Sequence, residues 1–118
     1  MGMASSIAIA IVALLHVYFL VLEMFLWTKP IGLKTFRQTA EAAEATKVLA
    51  ANQGLYNGFL AAGLFWGLYL GAAGVDVSVF FLSCVVVAGL FGAVTASRAI
   101  LFVQAMPAAI ALGLLVLF

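Results

Sequence analysis

The chain has 118 residues, of which 68% are hydrophobic and only 8% are charged, and its mean hydropathy is +1.32. A soluble domain carries roughly 25% charged residues, so this composition excludes a surface that is mostly solvated by water. The net charge is +1 and no dense basic cluster occurs, which argues against a nucleic-acid partner. We therefore expect residues 1–118 to form a single transmembrane domain whose main partner is membrane lipid.

The first apolar run is predicted to be a membrane-spanning helix over residues 4–27, since about twenty residues cross a bilayer core. It lacks the basic region and cleavage site of a secretory signal, so we expect it to be retained. Lys29 and Pro30 end it. His16 and Glu23 stand two helical turns apart in this run, which places an imidazole and a carboxylate on one face together with Trp27.

The next segment, residues 28–48, holds four of the five basic residues. Thr35 and Gln38 have the spacing of a capping box, which predicts a helix start near Phe36. We expect this helix to continue into a second span over residues 49–71. Its total length would exceed the hydrocarbon thickness, so the second helix is predicted to extend into the cytoplasm.

Two further spans are predicted over residues 77–97 and 100–118, separated by a turn at Arg98. The fold class is therefore all-α, an integral membrane four-helix bundle with antiparallel up-down topology. This arrangement puts all five basic residues on one side, which the positive-inside rule assigns to the cytoplasm, and both termini outside. Gly63, Gly67 and Gly71 form a small-residue stripe that favours either close packing within the chain or a homo-oligomer interface.

Hydrogen-bonding side chains from different spans are predicted to gather at one depth. Counted inward from the cytoplasmic ends, Glu23 lies about 7 Å deep and His16 about 18 Å, and the polar residues of the other spans lie about 5–11 Å deep. Intramembrane ionisable residues usually face the bundle interior and mark ligand sites or relays. We expect a polar pocket open to the cytoplasm, with Arg98 as the partner of Glu23. The candidate ligand-binding residues are His16, Glu23, Trp27, Asn52, Gln53, Tyr56, Asn57, Arg98 and Gln104.

Structural interpretations of these residues stay open. The asparagine and glutamine side chains are also typical of hydrogen bonds between helices. Glu23 fits a salt bridge at the membrane interface equally well, and His16 fits a buried neutral side chain. One histidine and one glutamate give too few ligands for a metal site, so none is predicted, and no cofactor is expected. No catalytic motif occurs, so no catalytic residue is assigned.

The stretches "HVYFLVLEMFLW" and "ANQGLYNGFLAAGL" resemble a small bacterial membrane family, domain-of-unknown-function family 1304, and the resemblance covers nearly the whole chain. It implies a four-span protein of the bacterial inner membrane and supplies no activity. The polar positions that it carries over are His16, Glu23, Trp27, Asn52, Gln53, Tyr56 and Asn57.

Three functions are compatible with this sequence. The first is binding or transport of a small amphipathic molecule, with Glu23 as the charge-recognising or proton-coupled group. The second is an intramembrane enzyme that uses His16 or Glu23 for acid–base chemistry on a lipid-like substrate. The third is a structural or partner-binding membrane protein, with the predicted helix over residues 36–48 as its docking surface. In that case the polar residues only hold the helices together.

Overall fold

The computed structural model describes all residues, Met1–Phe118, and contains helices and no strand. The predicted all-α class is confirmed. The elements in chain order are α1 (Met3–Met24), α2 (Pro30–Thr35), α3 (Ala40–Leu70), a 3₁₀ turn (Gly71–Gly74), α4 (Val75–Thr95), a π-helical turn (Leu101–Ala105) and α5 (Met106–Leu117).

Two helical stretches, Met3–Met24 and Ala40–Thr95, are long and apolar enough to cross a membrane. The second has 56 residues and includes the 3₁₀ turn Gly71–Gly74. A third apolar stretch, Leu101–Leu117, is shorter. These lengths support a membrane protein, and the number of spans stays a prediction.

The chain divides into two compact units, one formed by Leu15–Phe59 and the other by Met1–Leu14 with Leu60–Phe118. Helices α1 and α3 each contribute residues to both units. The larger unit, Met1–Leu14 with Leu60–Phe118, has an aliphatic core. Its buried residues are Ile9, Val12, Ala13, Leu64, Leu82, Val85, Ala108 and Ala111.

Glycines bring the helices of the larger unit into close contact. Gly67 faces Ser78, where an added Cβ would lie 3.3 Å from the Ser78 amide nitrogen. Gly89 faces Ala105, where it would lie 2.6 Å from the amide nitrogen. Gly71 has φ +62°, a left-handed conformation that glycine adopts without steric cost, so it can turn the chain at the end of α3. The glycine stripe therefore serves packing within this unit, at Gly67 at least.

The predicted helix start near Phe36 is wrong, because α2 ends there and α3 begins at Ala40. Arg37 has φ +51°, the Arg37 amide donates to the Lys34 carbonyl, and the Gln38 amide donates to the Leu33 carbonyl. This is a Schellman motif, which closes a helix, with arginine in the place usually taken by glycine.

The cap of α3 is Thr39, whose hydroxyl accepts a hydrogen bond of 3.1 Å from the Ala42 amide. Thr35 does not cap α3; its hydroxyl donates to the Ile31 carbonyl at 2.7 Å, one turn back in α2. The capping-box assignment failed because Thr35 and Thr39 are both candidate caps in the sequence, and only Thr39 directly precedes α3.

The last helical region is less regular than the predicted 100–118 span. Its first part is the π-helical turn Leu101–Ala105, and α5 follows from Met106 with Pro107 in its first turn. Proline has no N–H, and its ring clashes with the carbonyl one turn earlier, so a regular α-helix through this point is disfavoured. The wider π turn before Pro107 accommodates that ring.

Candidate ligand-binding site

Two glycines of α3 let it approach the C-terminal half of α1 within the unit Leu15–Phe59. A Cβ on Gly54 would lie 2.6 Å from Met24 Cγ and 3.2 Å from Glu23 Cβ, and one on Gly58 would lie 2.7 Å from Leu20 Cδ1. No larger side chain fits at Gly54 without moving its neighbours. This close approach sets Glu23 beside the polar residues of α3.

Asn57 links α3 to α1 by donating a hydrogen bond from its Nδ2 to Glu23 Oε1. Asn57 is only 5% exposed, and Glu23 is half-buried. A carboxyl group has two oxygens, so this bond uses only part of the hydrogen-bonding capacity of Glu23. Glu23 Oε2 is the atom through which the carboxylate can bind something further.

The predicted placement of Trp27 on the helical face of His16 and Glu23 is wrong, because α1 ends at Met24 and Trp27 lies in the loop that follows. Trp27 is nevertheless held at a fixed position. Its indole Nε1 donates to Thr46 Oγ1 at 3.1 Å, and the Thr46 hydroxyl donates to the Ala42 carbonyl at 2.8 Å. The ring lies against Phe36, with 4.7 Å between centroids. Gly32 packs against the same loop, since a Cβ there would lie 2.8 Å from the Trp27 carbonyl oxygen. The short helix α2 therefore supports the tryptophan.

Two surface depressions share Glu23 and Trp27 in their walls. The first, which we call the lysine depression, has a volume of about 350 Å³. Its lining is Glu23, Met24, Phe25, Trp27, Thr28, Lys47, Val48, Ala51 and Asn52. The second, which we call the glutamine depression, has a volume of about 370 Å³. Its lining is Glu23, Trp27, Gln38, Thr46, Leu49, Ala50 and Gln53.

The predicted amide cluster separates into different roles. Asn57 is buried and bonded to Glu23, whereas Asn52 lines the lysine depression and Gln53 lines the glutamine depression, both exposed. Tyr56 is 58% exposed, lies beside Phe59 at 6.0 Å between ring centroids and lines neither depression. The structure thus brings Glu23, Trp27 and three amides of the predicted set together and leaves the tyrosine outside.

His16 is fully buried and lines neither depression. Its ring meets the Phe19 ring edge-on, with 5.3 Å between centroids. Arg98 and Gln104 belong to the other unit, Arg98 exposed in the turn after α4 and Gln104 half-buried in the π-helical turn. The pairing of Glu23 with Arg98 therefore stays a prediction.

Four polar or charged residues of the depressions were not in the sequence-based prediction of the site: Thr28, Gln38, Thr46 and Lys47. Thr46 falls on the same face of α3 as Ala50 and Asn57, so helical periodicity could have identified it. Lys47 is exposed and forms an ion pair with Glu44 within α3. Gln38 could not have been found by periodicity, because the Schellman motif places it. Across residues 1–118, no three His, Cys, Asp or Glu side chains gather as a potential metal site.

Comparison with known proteins agrees with the predicted resemblance. The family described as "Protein of unknown function (DUF1304)" matches residues 10–116. The chain is similar to the uncharacterised protein YpaA of Lactococcus lactis subsp. lactis (strain IL1403), with 28% identity over 96 residues, which cover 80% of this chain and 81% of that protein. No solved structure matches.

Proposed function

We propose that this chain, which belongs to the DUF1304 family of proteins of unknown function, binds or transports a small amphipathic molecule in a membrane, with Glu23 as the group that meets the ligand headgroup. The proposal takes the helices as four antiparallel spans of a bacterial inner membrane. Residues 28–48 then lie in the cytoplasm and both termini outside. Support for this orientation comes from the basic residues, since cytoplasmic loops carry an excess of Lys and Arg.

The observation that carries the proposal is the half-buried Glu23 carboxylate between two depressions, held at one oxygen by Asn57. A charged carboxylate costs about 2.5–3.5 kcal/mol at the centre of a span, although less near the interface. An interhelical polar contact contributes only about 0.6 kcal/mol on average and up to about 1.7 kcal/mol. A link between helices alone would therefore be made more cheaply by two uncharged side chains, which favours a role for the carboxylate outside the fold.

The surroundings of Glu23 fit an amphipathic ligand. The polar groups Asn52, Gln53 and Thr46 lie in the walls of the depressions together with the Trp27 ring and aliphatic side chains. Ligand sites commonly combine a mainly apolar lining with a few placed polar groups that fix orientation. The lining offers hydrogen bonds to a headgroup and an apolar surface to a hydrocarbon chain.

The enzyme hypothesis gains no specific observation, because His16 lines neither depression. The structural hypothesis does gain one, since the Asn57–Glu23 hydrogen bond joins two helices. The binding hypothesis predicts that ligand binding changes when Glu23 is replaced by an uncharged residue of the same shape. The structural hypothesis predicts no such change.

The test uses Trp27 as a reporter in a Trp66→Phe background, so that the only indole left is the one in the site. The protein in lipid nanodiscs is titrated with three probes that share a 12-carbon chain: 1-monolauroylglycerol, dodecylammonium and laurate. We expect at least one probe to give saturable binding, and Glu23→Gln to change its Kd by about tenfold or more. Glu41→Gln, at an exposed carboxylate of the same unit that lines neither depression, is the control. An unchanged Kd in Glu23→Gln, or no saturable binding by any probe, would refute the proposal.

A further inference from the structure

The connection between α1 and α3 carries most of the basic residues of the chain. Residues 28–48 hold four basic side chains and two acidic ones, a net charge of +2. The basic side chains, which we call the basic patch, are Lys29, Lys34, Arg37 and Lys47, and all four are exposed. Lys47 lines the lysine depression together with Thr28, the residue directly before Lys29. The patch therefore extends from the loop after α1 onto α3.

Most of these cations have no acidic partner in the protein. The acidic residues of the unit Leu15–Phe59 are Glu23, Glu41 and Glu44, and the one ion pair joins Lys47 to Glu44 within α3. Both side chains of that pair are more than half exposed. Exposed ion pairs contribute little to stability, so an external anion can compete with Glu44 for Lys47. The basic patch thus has the capacity to bind negative charge from outside the chain.

Large apolar side chains lie in the same segment as the basic patch. Phe25 is 66% exposed, Ile31 48% and Phe36 38%. In α2 the buried Gly32 packs against the loop after α1, whereas Ile31 and Lys34, three residues apart and so on one face, are exposed. Basic side chains combined with exposed apolar ones are typical of segments that lie in the headgroup region of a bilayer.

An anionic phospholipid fits both features of this segment. Its phosphate supplies negative charge to the basic patch, and its acyl chains cover the exposed apolar side chains. Lysine and arginine can lay their aliphatic stems along apolar surface while the charged ends stay among the headgroups. An acidic protein segment would match the charge alone. Phe25 directly follows the apolar helix α1, so its exposed ring continues a surface that lipid already covers, which favours the phospholipid.

We infer that the basic patch is an interaction surface for anionic phospholipid headgroups. Its membrane setting rests on the proposed function, but it requires no ligand at Glu23. Lys47 donates to the lipid phosphate in competition with Glu44, and the other three cations of the patch add to the attraction. Basic segments beside a membrane span are attracted to anionic lipids, and each Lys or Arg strengthens that attraction.

The test reads the fluorescence of Trp27, which lines the lysine depression with Lys47, in the Trp66→Phe background. The protein is placed in phosphatidylcholine bilayers with increasing fractions of brominated phosphatidylglycerol or brominated phosphatidylcholine. Bromine quenches an indole only at close contact, so the two curves give the preference of this surface for the anionic lipid. We expect phosphatidylglycerol to be preferred about fivefold or more.

Two substitutions at the exposed ion pair should change this preference in opposite directions. Lys47→Gln should reduce it about twofold or more, because it removes a cation of the patch. Glu44→Gln should increase it about twofold, because it removes the competing carboxylate. Arg98→Gln, the same loss of charge in the other unit, is the control and should leave the preference unchanged.

Equal quenching by the two brominated lipids would overturn the inference and leave an acidic protein segment as the partner of the basic patch. A loss in Arg98→Gln as large as that in Lys47→Gln would also overturn it, because net charge alone would then explain the preference. Opposite changes in Lys47→Gln and Glu44→Gln would support it. The curves involve none of the twelve-carbon probes, so either the lipid preference or the binding of a ligand at Glu23 can fail while the other stands.

Discussion

Replacement of Asn57 by leucine is expected to destabilise the unit Leu15–Phe59, because it removes the donor that holds Glu23. Leucine has nearly the shape of asparagine, so the packing beside α1 changes little while the hydrogen bond is lost. Asn52→Leu is the matched control. It makes the same chemical change on the same helix at an exposed side chain in the wall of the lysine depression.

The magnitude follows from burial and from the solvent. A hydrogen bond to a charged group is worth about 1.5–3 kcal/mol in a soluble protein. Interhelical polar contacts in membranes average about 0.6 kcal/mol and reach about 1.7 kcal/mol. Asn57 is almost fully buried but Glu23 is half-exposed, so we expect Asn57→Leu to lower the free energy of unfolding by about 1–2 kcal/mol. The control should change it by less than about 0.5 kcal/mol.

The assay is unfolding of the detergent-solubilised protein by sodium dodecyl sulfate, followed by far-ultraviolet circular dichroism. A double-mutant cycle with Glu23→Met isolates the pair, and we expect a coupling energy of about 1 kcal/mol. Losses that simply add, or an equal loss in Asn52→Leu, would show that the bond between Asn57 and Glu23 does not join α1 to α3.

Four further substitutions test the packing and the turns. Gly54→Leu should lower the free energy of unfolding by about 2 kcal/mol or more in the same assay, because the leucine side chain collides with α1. Gly113→Ala should raise it by up to about 1 kcal/mol, because a Cβ at this position meets nothing within 4 Å. Equal effects of the two substitutions would contradict the close approach of α1 and α3. Arg37→Gly should stabilise by about 0.5–1 kcal/mol because it relieves the left-handed φ, and a loss of stability would count against the Schellman motif. Ser78→Ala should leave stability unchanged or raise it, since the buried Ser78 hydroxyl has no partner; a loss above about 1 kcal/mol would mean that the hydroxyl is paired in the protein.

The helical class and the site core were predictable from the sequence, because both depend on local pattern. Apolar runs of sufficient length predict helices in lipid. The prediction also put Glu23 and Trp27 at one site, although Trp27 reaches it from the loop after α1 and not from the helical face that its spacing indicated. Asn57 was in the predicted set because its depth matched that of Glu23. The length of an apolar run and the depth of a polar residue along it are properties of single helices, which the sequence expresses directly.

The chain between α1 and α3 was predicted less well, because its geometry depends on contacts that no periodicity encodes. Arg37 occupies a left-handed position where glycine is usual, so the end of α2 carried no composition signal. The position of Gln38 follows from that turn. Gly32 packs against the loop carbonyls and so helps to hold Trp27, a role that appears only once α2 is folded back.

Glycines at helix contacts also decided which amides are buried. Gly54 and Gly58 let α1 approach one side of α3, and Asn57 lies on that side. Asn52 and Gln53 fall beside the contact and remain exposed. The wide polar arc of α3 could not distinguish these positions before the contact was known.

An experimental structure of the lipid-embedded protein, determined with 1-monolauroylglycerol added, tests the central claim most directly. The predicted result is density for a headgroup that contacts Glu23 in one of the two depressions, with the hydrogen bond from Asn57 to Glu23 intact. A Glu23 side chain turned toward the acyl chains of the bilayer, or a depression closed by packed side chains, would contradict it.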